Sequence, residues 1–278
     1  MRRPYAARGE TAFRWLFWVY CGLVFTFLIA PILAIIPLSF NSGSFLTFPM
    51  PGFSLRWYAD FFASDRWLAA VKNSMIVGIA TTFLATVLGT MASLGLARLR
   101  PKLRSVLSAF IIAPIIVPVV ITGVGAYFLY APLRLTNTYL ALVLSHTVIA
   151  VPFVVLTVSA SLQNFDVNLV RAAGSLGAPP LITFRRVILP LILPGVVSGA
   201  VFAFATSFDE VVMALFLAGP EQRTLPIQMF NGVREEISPT ITAAATLLVI
   251  LSCMLLITVE LLRRRAERMG GQGRVAAE

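Results

Sequence analysis

Long runs of apolar residues, separated by short polar segments, make up most of the chain. A helix needs about 20 apolar residues to cross a bilayer, and six windows free of charged residues reach that length. They are residues 15–38, 73–97, 105–130, 139–161, 187–208 and 237–259. The pattern predicts an all-α polytopic membrane protein with six transmembrane helices. Residues 1–278 are then a single transmembrane domain, with core spans at about 69–262.

Composition and charge agree with this prediction and orient the chain. The sequence is 58% hydrophobic and 12% charged, which leaves little room for a soluble domain. Of the 22 Lys and Arg residues, sixteen lie in the two tails and in the segments after spans two and four, against six in the alternate segments. By the positive-inside rule both termini are cytoplasmic. The basic residues that give the net charge of +10 lie at the ends of the spans. This arrangement does not indicate nucleic-acid binding.

Two of the apolar regions differ from a regular transmembrane helix. The third contains Pro114 and Pro118, which remove helical hydrogen bonds, and this irregularity fits either a lined pathway or simple helix packing. The fifth runs for 33 residues, 187–219, and contains Asp209 and Glu210. We expect both acids near the outer end of the fifth helix, followed by a bent or re-entrant piece. They are candidate pathway residues that attract cations, but their shallow depth favours a structural turn.

His146 is the single histidine, in the middle of span four. One histidine cannot form a metal site, so we expect an interhelical hydrogen bond instead. The sequence predicts no catalytic residue, no cofactor and no metal. Only two lysines occur, and neither follows the glycine of a phosphate-binding loop.

A short helix is predicted between spans four and five, on the cytoplasmic side. Asp166 is a plausible N-cap for a helix from Val167, and Gly177 with the following prolines ends it. One helical face is small and apolar, formed by Leu169, Ala172, Ala173 and Leu176. Such a helix is too short to be stable alone. The face either docks on a partner protein or lies on lipid, with Arg171, Arg185 and Arg186 near phosphates.

The same stretch, RAAGSLGAPPLITFRRVILP, resembles the cytoplasmic signature loop of ABC importer permeases. That pattern is Glu-Ala-Ala, three residues, Gly, nine residues, then Ile-x-Leu-Pro. The matching positions are Ala172, Ala173, Gly177, Val187, Leu189 and Pro190. Further stretches, including LSHTVIAVPFVV and FATSFDEVVMALFLAGP, extend the resemblance over nearly the whole chain. Together they resemble the second permease subunit of spermidine/putrescine-type importers.

The resemblance implies a type I importer permease in the bacterial inner membrane. Its loop, about 162–190, would hold a coupling helix that docks on a separate cytoplasmic ATPase, present in two copies. A second permease subunit would complete the pore, and a soluble binding protein would deliver substrate from outside. The implied coupling residues are Leu169, Arg171, Ala172, Ala173, Leu176, Gly177, Val187, Leu189 and Pro190. Arg171 departs from the pattern because the family usually has glutamate there, so that polar contact cannot be carried over.

The implied function is import of polyamines or a similar small cationic solute by a non-catalytic membrane subunit. Related importers carry other solutes, including ferric iron, thiamine, aminoethylphosphonate and opines, so the substrate is less constrained than the mechanism. A stand-alone secondary transporter is the rival from another class. The lack of a detectable internal repeat and the presence of the signature loop count against it.

Overall fold

A computed structural model of the protein describes residues 8–47, 49–163, 165–235 and 238–275. Five helices are long and apolar enough to span a membrane, and one bent helix pair raises the number to six. Within the described residues, the isolated bridge between Asn41 and Phe53 is the one strand-like pairing. The predicted all-α membrane fold is confirmed. Residue 237, the predicted start of span six, and residue 164 of the predicted coupling loop lie outside the described residues.

The helices differ widely in length, from four to 37 residues. In chain order they are α1 (Arg8–Leu38), α2 (Arg56–Ala63), α3 (Asp65–Ala97), α4 (Pro101–Ile116), α5 (Val119–Tyr130), α6 (Tyr139–Gln163), α7 (Asn168–Ser175), α8 (Pro180–Thr183), α9 (Leu189–Asp209), α10 (Val212–Leu217), α11 (Leu225–Glu235) and α12 (Pro239–Val275). Helices α1, α3 and α6 each contain one predicted span, and α12 contains residues 239–259 of the sixth. Helix α3 starts at Asp65, eight residues before the predicted window, because its charged first turns lie ahead of the apolar stretch.

The third predicted span is two helices, not one. Helices α4 and α5 meet at a bend of 99°. Val117 takes an extended conformation there, with ψ at 130°. Pro118 disfavours the helical region for the residue before it, whereas Pro114 remains inside α4. The irregularity predicted for this region is thus a sharp break between two helices, which count together as the sixth candidate span.

The fifth predicted span begins earlier than residue 187. A helical segment of 30 residues, Pro180–Asp209, qualifies as the span. It consists of α8, a π turn at Phe184–Ile188 and α9. In the π turn the N–H of Leu189 bonds to the carbonyl of Phe184. Pro190 follows directly and has no N–H to donate, so the regular hydrogen-bond ladder shifts at this point.

The described residues fall into two compact units. The first lies within Met1–Ala63 and Gly232–Val249, and the second within Ser64–Asn231 and Ile250–Glu278. The first unit includes α1, whose most apolar window has none of its residues buried. It also includes α2, which buries Trp57 and Phe61.

The second unit is built on three mutually packed helices, α3, α6 and α9. Helices α3 and α6 run in the same direction, because Asn73 contacts Tyr139 near their starts and Ser93 contacts the carbonyl of Val155 further along. Helix α9 runs opposite to α6, since Ser207 contacts His146 while Gly195 lies against Ser161. Glycines permit this close approach. The buried apolar cluster between the three helices comprises Ala85, Ala150, Val154, Val158, Ile188, Ile192 and Ala203.

Candidate functional site

Helix α7 occupies the predicted signature loop and starts one residue later than expected. The N-cap is Val167 and not the predicted Asp166, but the Asn168 N–H donates to Oδ1 of Asp166 at 2.9 Å, so the carboxylate still satisfies one of the unpaired amides at the helix start. The Leu169 N–H also bonds to the Asp166 carbonyl, at 3.1 Å. The first turn is thereby fixed to the chain that precedes it.

The C-terminus of α7 is a Schellman motif. Gly177 has φ +78°, a conformation that glycine adopts without steric cost. The Ala178 N–H bonds to the Ala173 carbonyl at 3.0 Å, and the Gly177 N–H bonds to the Gly174 carbonyl at 2.9 Å. This is the paired arrangement expected when glycine occupies the first position after the helix end. The predicted role of Gly177 as the stop signal is confirmed.

One side of α7 is attached to its own chain. Val170 packs against the cluster between α3, α6 and α9, together with Phe165 before the helix and Phe184 after it. Helix α7 also contacts α8 and the π turn. A displacement of α7 would therefore be transmitted directly to the cluster at the centre of the second unit.

The predicted apolar face of α7 is mostly exposed. Leu176 is 88% exposed and Leu169 is 44% exposed. Ala172 is also exposed, while Ala173 lies closer to Val170 and is half-buried. Leucine side chains with this exposure form an uncovered apolar surface, which is a usual mark of an interaction site.

Arg171 lies on the other side of the helix from that face, since two residues correspond to about 200° of rotation. Its Nη1 lies 3.4 Å from Oδ1 of Asn168, and the side chain is exposed. The remaining signature residues, Val187, Leu189 and Pro190, lie in or just after the π turn. They belong to the next helical segment, and the structure does not bring them into the exposed face of α7.

The two candidate pathway acids mark the break after α9. Helix α9 ends at Asp209, and Glu210 is extended with ψ at 116°. Oε1 of Glu210 accepts a hydrogen bond from the Met213 N–H at 2.9 Å, in the first turn of α10. Glu210 is half-buried and Asp209 is exposed. The bent piece predicted after the acids is thus a short helix, and Glu210 caps it.

Comparison with known proteins identifies the family. Residues 85–268 match the family model described as "Binding-protein-dependent transport system inner membrane component". That range includes α7, the π turn and both acids. The chain belongs to this family. It is therefore an inner-membrane permease component of a transport system. This agrees with the prediction of a non-catalytic membrane subunit.

Relatives of this permease include polyamine transport proteins. It is 32% identical over 241 residues to the spermidine/putrescine transport system permease protein PotC of Escherichia coli strain K12, covering 87% of this chain and 91% of the relative. It is 35% identical over 233 residues to the putrescine transport system permease protein PotI of the same strain, covering 81% and 83%. The trehalose transport system permease protein SugB of Mycobacterium tuberculosis is 32% identical, over 69% of this chain and 72% of the relative.

Solved structures show the same fold at low sequence identity. A chain of a bacterial ABC transporter that imports the acidic polysaccharide alginate superposes with a TM-score of 0.71 at 14% identity, covering 94% of the permease and 99% of that chain. A chain of the MetNI methionine ABC transporter in an inward-facing conformation superposes with a TM-score of 0.60 at 23% identity, covering 72% and 96%. The importer permease fold expected from the resemblance is confirmed.

The permease also contains a polar clamp that sequence reasoning missed. Nδ2 of Asn73 donates to the carbonyls of Glu221 and Arg223, at 2.8 and 2.9 Å. The Tyr139 hydroxyl donates to Oδ1 of Asn73 at 2.6 Å, and Ser74 Oγ accepts from the Leu225 N–H at 2.8 Å. These contacts fix the segment between α10 and α11 to the first turns of α6 and the start of span two. The one feature of the sequence that could have indicated this clamp is that two polar residues, Asn73 and Ser74, begin the apolar segment 73–97.

His146 makes the interhelical contact that the sequence predicts for the permease. Its Nδ1 lies 2.9 Å from Oγ of Ser207, which joins α6 to α9, and both residues are buried. A buried hydrogen bond of this kind fixes the register between the two helices.

Proposed function

We propose that this permease forms one half of the pore of an ATP-driven importer and that α7 is its coupling helix. The exposed apolar face of Leu169, Ala172 and Leu176 carries the proposal. A second permease subunit completes the pore, and a soluble binding protein supplies substrate on the outer side. Two copies of a cytoplasmic ATPase subunit drive transport. Residues 1–278 act as a single permease domain in this assembly.

The two sides of α7 support a coupling role over lipid contact. Its ends are fixed by Asp166 and Gly177, and Val170 attaches it to the central cluster. A helix fixed at both ends and attached to the cluster would move as a rigid body when a docked partner moves, so that the movement reaches the cluster. Covering Leu176 alone would contribute about 1.5–3 kcal/mol to docking. ATP-driven closure of the two ATPase subunits then shifts the α3, α6 and α9 bundle between inward-open and outward-open arrangements.

The proposed substrate is a polyamine such as spermidine or putrescine. The proposal is supported by the likeness to PotC and PotI, whose names give those substrates. The trehalose relative at 32% identity shows that similar chains serve other solutes. Substrate class therefore needs a direct measurement, separate from that of the mechanism.

Arg171 is proposed to meet a compensating acid on the ATPase. The family's usual glutamate is reversed to arginine here, and the exposed guanidinium makes one long contact, to Asn168. We expect Arg171→Glu to weaken coupling to the native ATPase about tenfold, as loss of one partner of an interfacial charge pair does. Arg171→Gln is the control without charge reversal. ATPase coupling that is unchanged or improved in Arg171→Glu would exclude the compensating acid.

The deciding experiment is uptake into proteoliposomes that contain this chain, its partner permease and its ATPase. Labelled spermidine or putrescine and the binding protein are placed outside, and ATP inside. Uptake that requires both ATP and the binding protein supports mechanism and substrate together. Stimulation of ATP hydrolysis by the binding protein without polyamine uptake retains the importer and rejects the substrate. Uptake by this chain alone without ATP would overturn the proposal.

A further inference from the structure

Helix α2 is attached to the end of α1 by several contacts within the first unit. Nε1 of Trp57 donates to the Asn41 carbonyl at 2.7 Å, and the hydroxyls of Tyr58 and Ser39 lie 2.7 Å apart. The rings of Phe40 and Tyr58 are 5.3 Å apart. All three partners lie within three residues of Leu38, the last residue of α1. The depth of α2 is therefore set by the point where α1 ends.

Helix α2 has two apolar sides. Trp57 and Phe61, one turn apart, are buried against the protein. Away from that side, Phe62 is 58% exposed, and Leu55, directly before the first residue of α2, is 66% exposed. The exposed Asp60 lies between the two sides.

The preceding segment continues the exposed apolar side. Phe53 is 80% exposed and Phe45 is 76% exposed. Backbone contacts hold this segment in place: the Ser42 N–H bonds to the Gly52 carbonyl at 2.9 Å and the Ser54 N–H bonds to the Phe40 carbonyl at 2.7 Å. With Leu55 and Phe62, these residues form what we call the outer apolar surface (Phe45, Phe53, Leu55 and Phe62).

We propose that the outer apolar surface inserts into the outer leaflet of the membrane, so that α2 is an interfacial helix. The surface lies in the same unit as α1, whose most apolar window has none of its residues buried. It is fixed beside the residue at which α1 ends. Amphipathic helices at this depth bury their apolar side at the boundary between headgroups and acyl chains.

The polar neighbours of α2 fit the same location. Tyr58, which is half-buried, has the kind of amphipathic ring that is enriched at membrane interfaces. The Arg56 guanidinium lies 4.0 Å from the Trp57 ring centre, and its Nη2 donates to Ser44 Oγ at 3.1 Å. This arrangement holds the positive charge at headgroup level, on the border of the apolar surface.

Spin labelling of the assembled complex in liposomes tests the proposal. Single cysteines are introduced by Phe62→Cys and, as the matched control on the same helix, Asp60→Cys, in a chain with Cys21→Ser and Cys253→Ser. We expect the label at 62 to be more accessible to oxygen than to a water-soluble nickel chelate, and the label at 60 to show the reverse. Phe53→Cys provides a second site if the Phe62 variant does not assemble.

Two results would overturn the proposal. Labels at 62 and 53 that are as accessible to the nickel chelate as the label at 60 would place the surface in water. Labels at 62 and 53 that are shielded from both reagents, or that become so when the binding protein is added, would place it against protein. Uptake activity is not part of this readout, so failure of the importer proposal would leave the result interpretable.

Discussion

Leu176 is the most exposed member of the apolar face of α7 and lies directly before the glycine that ends the helix. A leucine in this position contributes little to folding of the isolated chain, because 88% of its surface stays in water. Its contribution is expected on docking, when that surface is covered. Val167 is also exposed, at 59%, but lies on the opposite side of the helix.

We therefore predict that Leu176→Glu weakens binding of the ATPase subunit by tenfold or more, since about 1.5–3 kcal/mol of apolar burial is lost. Val167→Glu should weaken binding less than Leu176→Glu does, because position 167 covers none of the apolar face and an acid at a helix start is tolerated. Co-purification at several protein concentrations and ATPase stimulation measure both. Equal binding of the two variants would contradict a docking role for this face.

Substitutions of Glu210 can distinguish a structural role, as a cap of α10, from a role of its charge in transport. Glu210→Gln keeps an oxygen acceptor for the Met213 N–H, so we predict an unchanged melting temperature. Glu210→Ala removes the acceptor and should cost about 0.5–2 kcal/mol of stability. Thermal unfolding in detergent measures this difference. A Gln variant with normal stability but lost polyamine uptake would assign the charge of Glu210 to the pathway, and Asp209→Asn tests the charge of Asp209 in the same way.

At the scale of elements, the sequence predicted the number and place of the apolar segments better than their shape. Pro114 and Pro118 both interrupt hydrogen bonding, yet only Pro118 separates two helices. Which proline bends a helix depends on the packing on either side. Here Gly123 in α5 lies so close to Phe216 near the end of α10 that an added Cβ would be 2.7 Å from the ring. Gly123 and Phe216 are about 90 positions apart in the sequence, so their contact cannot be predicted from the residues around either proline.

The polar clamp around Asn73 shows the same limit. Its partners are two backbone carbonyls about 150 residues further along the chain, and a backbone acceptor has no sequence signature. Helix α7 was predictable because its signals are local: an acid before it, a period of apolar residues, and a glycine after it. The capping contacts of Asp166 and Gly177 follow from those residues alone.

Helix α3 contains a matched pair of glycines that tests the packing of the bundle. At Gly89 an added Cβ would lie 2.7 Å from the Cβ of Val154 in α6, whereas at Gly95 nothing lies within 4 Å. We predict that Gly89→Ala destabilises the protein by about 1–3 kcal/mol through overpacking. Gly95→Ala should be neutral or stabilising by up to about 1 kcal/mol, because alanine favours the helix. Thermal unfolding of the two variants side by side checks this, and equal melting temperatures would contradict the close packing of α3 on α6.

For the whole molecule, the directions of the bundle helices agree with the charge distribution. Helices α3 and α6 run in parallel and α9 runs against them, as an alternating path through six spans requires when both termini are cytoplasmic. Lys102 lies at the start of α4 and Glu221 in the segment held by Asn73. The predicted topology places these two residues on opposite sides of the membrane.

We predict that a membrane-impermeant maleimide labels Glu221→Cys in intact cells and labels Lys102→Cys only after the membrane is disrupted. Both variants carry Cys21→Ser and Cys253→Ser to remove the native thiols. Each variant's labelling after disruption serves as its own control for reactivity. The opposite pattern would invert the orientation and move α7 away from any cytoplasmic ATPase.

The uncovered face of α7 also has a consequence for how the subunit is maintained in the cell. Leu169 and Leu176 are exposed, so in the proposed assembly a copy without its ATPase would present them to the cytosol, where proteases remove incompletely folded or unassembled chains. Binding of a partner to the folded state shifts the population away from forms that are degraded. We expect the half-life of the chain to fall when the ATPase subunit is absent and Leu176→Glu to lessen that fall, so that the surface proposed to couple transport would also limit the number of orphan subunits.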